Sequence, residues 1–226
     1  MLPLYALVSS AVATGAAAEG SGPRIVGDTA PRRAAIAAGL GGSWIVGDNA
    51  AGYGGALSER IVVDLATGDL IAFTVELDHA RHALVDAGAY FPEAPIPAGA
   101  LTGFRDYLVI DAGFRLGIPV GDPRARRSDR VRGVPFVRIG VGLALTSTLL
   151  DAPGFDGRVA MRSNTAWFAP SLSAGAEVRI RPWISLLPHM KTQVQVFEDT
   201  AESVGGPTRV AAEWRFQPAL DVSIHF

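Results

Sequence analysis

Apolar and polar residues alternate in eight separate stretches of the chain. In the clearest stretch, residues 70–79, Phe73, Val75 and Leu77 alternate with polar residues such as Thr74. Successive side chains of a β-strand point to opposite faces, so each stretch predicts a strand with one apolar and one polar face. The eight predicted strands cover residues 33–47, 56–66, 70–79, 104–118, 136–147, 167–181, 185–197 and 210–226.

The connections between these strands alternate between short and long. Residues 67–69 and 182–183 form short turns, whereas the long connections are 48–55, 80–103, 148–166 and 198–209. Short turns at one end and long loops at the other are typical of up-and-down outer-membrane barrels. The connection 119–135 departs from this scheme, because it should be short but carries a charged insertion.

The alternation leaves open which face meets water, since a soluble β-sandwich or barrel would bury the apolar face. Two features favour a membrane barrel with a polar interior. The polar face is rich in small residues, which a narrow interior needs if it is to hold a few long charged side chains: these residues are Gly39, Gly41, Gly113, Gly140, Gly142, Ser171, Ser173 and Gly175. Aromatic residues lie at strand ends, where they would form two interfacial girdles: Trp44, Phe104, Phe114, Phe168, Trp183 and Trp214. The predicted fold class is all-β, an eight-stranded antiparallel up-and-down transmembrane β-barrel over residues 33–226.

Composition supports an exported protein. Apolar residues make up 49% of the 226 residues, the formal net charge is −2 and there is no cysteine, which excludes thiol catalysis and disulfides. Residues 1–18 carry no charge and end in a run of alanines, which predicts a signal peptide, followed by a periplasmic segment at 19–32. No later stretch is long and apolar enough for a transmembrane helix.

The last nine residues, PALDVSIHF, are apolar at alternate positions and end in phenylalanine. With this ending and its eight alternating stretches, the chain resembles the small outer-membrane β-barrels of OmpA/OmpX type. The resemblance covers nearly all of residues 33–226. It implies Sec export, location in the outer membrane of a Gram-negative bacterium, and contact with outer-membrane lipids and lipopolysaccharide. It also implies recognition by the barrel-assembly machinery through a carboxy-terminal signal, here Leu220, Val222, Ile224 and Phe226.

The predicted interior carries charges of both signs. Isolated buried charges are costly, so we expect them to pair, for example Asp111 with Arg138 and Glu213 with Lys191 on neighbouring strands. A closed, non-catalytic barrel with a structural or surface-interaction role is therefore expected, with a narrow porin-like channel as the alternative. The predicted interior charges are Arg60, Asp64, Glu76, Arg105, Asp111, Arg115, Arg138, Glu177, Arg179, Lys191, Glu213, Arg215 and Asp221.

The histidines raise the possibility of a metal site or a catalytic site. His79 and His82 have an HxxH spacing with Asp78 nearby, but no second group of ligands is visible, so we expect histidines of a surface loop. His189 is expected to line the polar interior. A lipid A-modifying enzyme is a further alternative, but no His-x-Ser pair lies on one face, so no catalytic residue, metal or cofactor is predicted.

Two loops are candidates for interactions. Residues 80–103 contain Tyr90 and Phe91, which could bind a surface partner or pack down as a lid. The insertion 121–133 carries five arginines and could contact phospholipid headgroups or be a solvated turn. It has no aromatic platform for bases, so no nucleic acid is expected.

Overall fold

The eight alternating stretches form eight strands that close into one barrel. The computed structural model describes residues 34–47, 50–67, 71–86, 89, 100–118, 132–151, 158–181, 183–199 and 209–226. Each strand pairs antiparallel with its neighbours in chain order, and the last strand pairs with the first. The strands are β1 (Ala34–Val46), β2 (Ala56–Ala66), β3 (Ile71–Ala83), β4 (Thr102–Gly117), β5 (Arg132–Asp151), β6 (Arg158–Arg181), β7 (Ile184–Asp199) and β8 (Arg209–His225).

The strand register sets the tilt of the barrel. When the paired residues are followed once around the barrel from Ala35, the path returns to β1 at Ile45, which is a stagger of ten residues. Such a stagger tilts the strands of a closed barrel by roughly 35–45°. The path runs through Asp64, Thr74, Gly113, Gly140, Ser171, Gln193 and Arg215.

The two faces of the wall divide by polarity as the fold class predicts. Apolar side chains such as Leu40, Ile110 and Ile139 are exposed on the outside, where a transmembrane barrel meets lipid. Polar and charged side chains such as Asp221 and Lys191 are buried inside. The predicted eight-stranded antiparallel transmembrane β-barrel is confirmed.

Several strands extend farther than predicted. β3 continues to Ala83, and the hairpin of β5 and β6 takes up most of the predicted loop 148–166, leaving residues 152–157 as the connection. In the added part of the hairpin, Leu149 and Leu150 are adjacent and Val159, Ala160 and Met161 form a run, so the period-two signal of a strand is lost although backbone pairing continues. At the opposite end, residues 132–135 of the predicted connection 119–135 belong to β5.

Some predictions concern residues outside the described parts of the chain. They are the signal peptide 1–18, the segment 19–32, the arginines at 124–130 and most of loop 80–103, including Tyr90 and Phe91. Among the described residues, no helix is long and apolar enough to cross a membrane.

Candidate functional site

The barrel interior holds a charge-balanced set of ionisable side chains. Seven cations and seven anions point inward among the residues whose side chains the structure describes. Thirteen of them are the residues predicted from the sequence, and the fourteenth is Asp78 on β3. The cations are Arg60, Arg105, Arg115, Arg138, Arg179, Lys191 and Arg215; the anions are Asp64, Glu76, Asp78, Asp111, Glu177, Glu213 and Asp221.

The inward charges lie in three layers along the barrel: one near the short turns, one in the middle and one near the long loops. Glu76 is the centre of the middle layer. Arg138 donates to Glu76 Oε2 at 2.7 Å, and Lys191 Nζ donates to Glu76 Oε1 at 2.7 Å. Arg60 Nη1 lies 3.7 Å from Oε1. Glu76 belongs to β3, and its cations come from the neighbouring β2 and from β5 and β7, which do not pair with β3. Three cations therefore surround one buried carboxylate.

A second carboxylate in the middle layer is held more loosely. Arg60 Nε lies 3.6 Å from Asp221 Oδ1, and His189 Nδ1 lies 3.7 Å from Oδ2. Within the described part of the chain, neither oxygen of Asp221 has a hydrogen-bond partner. Gly39 faces this carboxylate, and a Cβ at that position would overlap Asp221 Oδ1. The small residue on β1 therefore makes room for the charge on β8.

The layer near the short turns is built around Glu177. Arg115 Nη1 donates to Glu177 Oε2 at 3.3 Å, while Arg179 Nε and Ser185 Oγ donate to Oε1 at 2.9 and 3.0 Å. Arg115 also reaches Asp64, with Nη2 3.2 Å from Oδ2. One arginine thus joins carboxylates of β2 and β6 across the barrel.

The layer near the long loops has two carboxylates, Asp78 and Glu213. Arg215 Nη2 donates to Asp78 Oδ1 at 3.1 Å, and the Gln217 amide donates to Oδ2 at 2.7 Å. Arg105 Nη1 lies 2.8 Å from Glu213 Oε1, and the Tyr107 hydroxyl donates to Oε2 at 2.6 Å. Here too, the pairs cross the interior.

The two specific pairings expected from the sequence are wrong. The cation near Asp111 is Lys191 and not Arg138, with Lys191 Nζ 3.6 Å from Asp111 Oδ2. Asp111 also accepts a hydrogen bond from the Ser171 hydroxyl. Glu213 pairs with Arg105, whereas Lys191 pairs with Glu76. The expectation assumed that neighbouring strands supply the partners, but inward side chains of a narrow barrel meet across its interior.

Apolar side chains fill the interior next to this last polar layer. Ile45, Val109, Ala144 and Ala169 point inward from β1, β4, β5 and β6 and form one buried cluster with Tyr107. Ala50 and Tyr53 join the same cluster. Both belong to the connection between β1 and β2, so this connection folds toward the barrel interior.

His82 is not a surface-loop residue as expected. It lies on the extended part of β3, points inward and is fully buried. Its Nδ1 donates to the carbonyl of Gly54 at 2.8 Å, and Nε2 accepts from Ser43 Oγ at 3.1 Å. The sequence contained the signal for this placement, because positions 76, 78, 80 and 82 continue one alternation.

His79 lies on the other side of the barrel wall. Its side chain is 45% exposed, and Nε2 lies 3.6 Å from Asp106 Oδ1. The two histidines of the HxxH pattern are therefore separated by the wall and cannot share a metal ion. Among the described residues, no group of three or more metal-ligating side chains is found.

His189 lies inside the barrel on β7. Its Nδ1 donates to the carbonyl of Leu187 at 2.9 Å, and because a carbonyl can only accept, this nitrogen carries the proton. Nε2 accepts from Arg60 Nη1. The ring is thus a neutral acceptor that helps to hold the guanidinium near Glu76.

The predicted girdle and carboxy-terminal residues lie on the outside. Five of the six girdle residues are exposed and Phe104 is half-buried, with the Arg81 guanidinium 4.3 Å from its ring centroid. Arg81 also forms a bidentate salt bridge with Asp106, in which Nε donates to Oδ1 at 2.7 Å and Nη2 donates to Oδ2 at 3.1 Å. The alternate residues Leu220, Val222, Ile224 and Phe226 are exposed on the same outer face of β8 and the chain end.

Comparison with known proteins identifies the fold. No family model and no curated protein matches the sequence, but solved structures do. Neisserial surface protein A is 13% identical, with a TM-score of 0.52, and the match covers 85% of this chain and 97% of that one. Ail of Yersinia pestis is 11% identical over 87% of this chain and 100% of that one, with a TM-score of 0.49. A major outer-membrane protein of Thermus thermophilus is 14% identical over 85% and 99%, with a TM-score of 0.49.

Only the first of these similarities is strong enough to carry an argument, and at this identity it concerns the fold. The chain has the fold of the small outer-membrane β-barrels. The resemblance to barrels of OmpA/OmpX type is confirmed at that level.

Proposed function

We propose that this protein is an outer-membrane β-barrel with a structural or surface-interaction role and a mostly closed polar interior. The observation that carries the proposal is the pairing of charge across the barrel. Glu76, Glu177 and Asp78 each bind cations from other strands, and seven inward cations balance seven inward anions among the side chains that the structure describes. Such pairs resist separation, because breaking one leaves a buried charge uncompensated.

The apolar cluster near the long loops adds to this support. Hydrated ions pay a large desolvation cost next to apolar side chains, so Ile45, Val109 and Tyr53 oppose their passage. A paired polar interior and an apolar cluster at one end together favour a barrel that does not conduct at rest.

The test is conductance of the folded barrel at neutral pH. The protein is refolded in detergent, checked for the heat-dependent gel shift of folded barrels, and added to planar bilayers. We expect little steady conductance and no swelling of liposomes in a small sugar. Large, stable channels from this preparation would contradict the proposal.

A narrow channel for small solutes is the second candidate. The 3.6 Å separation of Arg60 and Asp221 favours it, since this pair is not locked by a short hydrogen bond and can exchange partners. Liposome swelling separates the two candidates, because only the channel admits the sugar.

A lipid A-modifying activity receives less support. Ser43 and His82 are hydrogen-bonded as a nucleophile and a base would be, but both are fully buried inside the barrel and away from lipid. We therefore propose no catalytic residue. A change in the mass of lipid A when the protein is expressed would contradict this assignment.

We also propose location in the outer membrane of a Gram-negative bacterium after Sec export, with assembly through the signal that ends at Phe226. The outer-membrane fold and the exposed apolar face of β8 support this proposal. Outer-membrane lipids and lipopolysaccharide would then surround the wall, and loop 80–103 is the proposed site for a surface partner. Recovery of the protein in the soluble fraction would contradict the location.

A further inference from the structure

The outer face of the barrel carries a carboxylate between the two aromatic girdles. Glu59 of β2 is exposed on this face, and Leu40 of β1 lies opposite it in the strand register. On β1 the girdle residue Trp44 is four residues farther toward the long loops, and four residues of a tilted strand span roughly 10 Å along the barrel axis. Glu59 therefore lies well inside the apolar band that faces lipid and not at its edge.

His79 of β3 lies beside Glu59 on the same outer face. The two residues are opposite each other in the β2–β3 register, and Leu108 of β4 is next in this row. Such neighbours can interact directly, but no hydrogen bond or ion pair joins Glu59 to His79. Instead, His79 Nε2 lies 3.6 Å from Asp106 Oδ1. Glu59 makes no polar contact with any part of the chain that the structure describes.

A carboxylate at this depth needs a hydrogen-bond donor from outside its own barrel. Hydrocarbon chains offer none, and ionisable side chains inside a membrane are almost always paired. The same face carries a matching donor, because the contact of His79 with Asp106 uses Nε2 and leaves Nδ1 for another partner. Leu40 and Leu57 add exposed apolar surface around Glu59. The face is thus self-complementary, with an acceptor on β2 and a donor on β3.

A two-fold axis parallel to the barrel axis brings these groups together. When such an axis passes between β2 and β3, the β2 strand of each copy faces the β3 strand of the other. Glu59 of one copy then lies opposite His79 of the second copy at nearly the same depth, because the two residues belong to one row of the wall. The contact forms twice, as it does in isologous interfaces.

We propose that the protein forms a two-fold dimer in the membrane, in which Glu59 of each copy binds His79 of the other. This inference goes beyond the proposed function, because it concerns the outer face and holds whether or not the interior conducts. Lipid alone and a different membrane protein are the competing occupants of this face. With either of them, the purified barrel in lipid vesicles stays monomeric.

The test exchanges the two residues between copies. Glu59→His carries histidine on both strands and His79→Glu carries a carboxylate on both, so neither variant can form the contact with another copy of itself. A mixed pair restores both contacts, because the new histidine of one variant meets the new carboxylate of the other and the two unchanged residues also meet. Leu172→His is the matched control, since it adds a histidine to the exposed outer face of β6, across the barrel from β2.

Association is measured by energy transfer between donor-labelled and acceptor-labelled barrels in lipid vesicles at neutral pH. The protein has no cysteine, so Val85→Cys provides one exposed position for either dye. The wild type and Leu172→His should give transfer above the level of randomly placed barrels at the same density, and each exchange variant alone should fall to that level. Donor-labelled Glu59→His mixed with acceptor-labelled His79→Glu should at least match the wild type, because all mixed pairs join donor to acceptor and only about half of wild-type pairs do.

Each outcome decides the proposal. Transfer that persists in either exchange variant alone would overturn the dimer, as would a wild type at the random level or a mixture that does not recover. In vesicles that hold at most one barrel, Glu59→His should unfold in urea as the wild type does, and a lower midpoint there would overturn the assignment by showing that Glu59 acts within its own barrel. If His79→Glu does not give the heat-dependent gel shift of folded barrels, His79→Asp replaces it under the same criterion.

Discussion

Replacing Glu76 with glutamine tests whether charge pairing across the interior stabilises the barrel. The carboxylate accepts from Arg138 and Lys191 at 2.7 Å each and lies 3.7 Å from Arg60. A glutamine oxygen can accept from one of the two close donors, but its amide group then faces the other cation. The change also removes the negative charge that Arg60, Arg138 and Lys191 share, so one buried cation loses its compensation.

The expected cost follows from these contacts. Loss of one charged hydrogen bond costs about 1.5–3 kcal/mol, and breaking a buried pair by removing one partner costs about 3–5 kcal/mol in all. We therefore expect Glu76→Gln to lower the free energy of unfolding by about 3–5 kcal/mol. Urea unfolding of the barrel in lipid vesicles, followed by fluorescence of the four tryptophans, measures it.

Two variants control this experiment. Glu59→Gln removes the same charge from the exposed outer face of β2 and should behave like the wild type. Lys191→Met added to Glu76→Gln restores the charge balance and should recover part of the lost stability. If Glu76→Gln stays within about 1 kcal/mol of the wild type, or does no worse than Glu59→Gln, the pairing argument is refuted.

Three further predictions concern packing, hydrogen bonding and assembly. Gly39→Ala should destabilise the folded barrel, because the new Cβ would overlap a buried carboxylate oxygen of Asp221. Gly133→Ala is the control and should leave stability unchanged, because nothing lies within 4 Å of its new Cβ. Equal urea midpoints for the two variants would contradict the prediction. Tyr107→Phe removes the 2.6 Å hydrogen bond to Glu213 and should cost about 1–3 kcal/mol in urea unfolding. Deleting Phe226 should reduce the amount of protein in outer-membrane fractions more than it alters the stability of barrels refolded in vitro; normal membrane levels would count against the assembly role.

The sequence predicts the faces of the strands well, because period two alone decides which side chains point inward. Arg60, Glu76 and Asp221 lie where their positions in the alternation place them. Asp78 obeys the same rule, and its place in the interior could have been predicted from its position two residues after Glu76.

The partners of these charges could not be predicted from the alternation. Whether Lys191 meets Glu76 or Glu213 depends on the height of each residue along the barrel axis, which follows from the stagger of ten residues and not from any local pattern. The strand ends escape sequence reasoning for a different reason. In the β5–β6 hairpin, adjacent apolar residues such as Leu149 and Leu150 interrupt the period of two, so the alternation no longer marks a strand.

The binding of the connection between β1 and β2 to the barrel is also beyond sequence reasoning. Residues 48–55 are rich in glycine and alanine, which predicts only an ordinary connection. Its binding depends on His82 and on the apolar cluster that contains Ile45 and Val109, and these belong to different strands. Only the closed barrel brings them together.

The seam between β1 and β8 has a kinetic consequence. Pairs from Ala35–His225 to Val46–Trp214, with the final amide of Phe226 donating to Ala34, join the two ends of the barrel sequence. The other seven pairings connect strands consecutive in the chain and can form as local hairpins, whereas this one closes a loop that contains the whole barrel. Until it forms, β1 and β8 each expose a row of unpaired backbone groups that can recruit another chain. Folding should therefore be limited by this last closure, and the half-closed sheet is the species most exposed to aggregation.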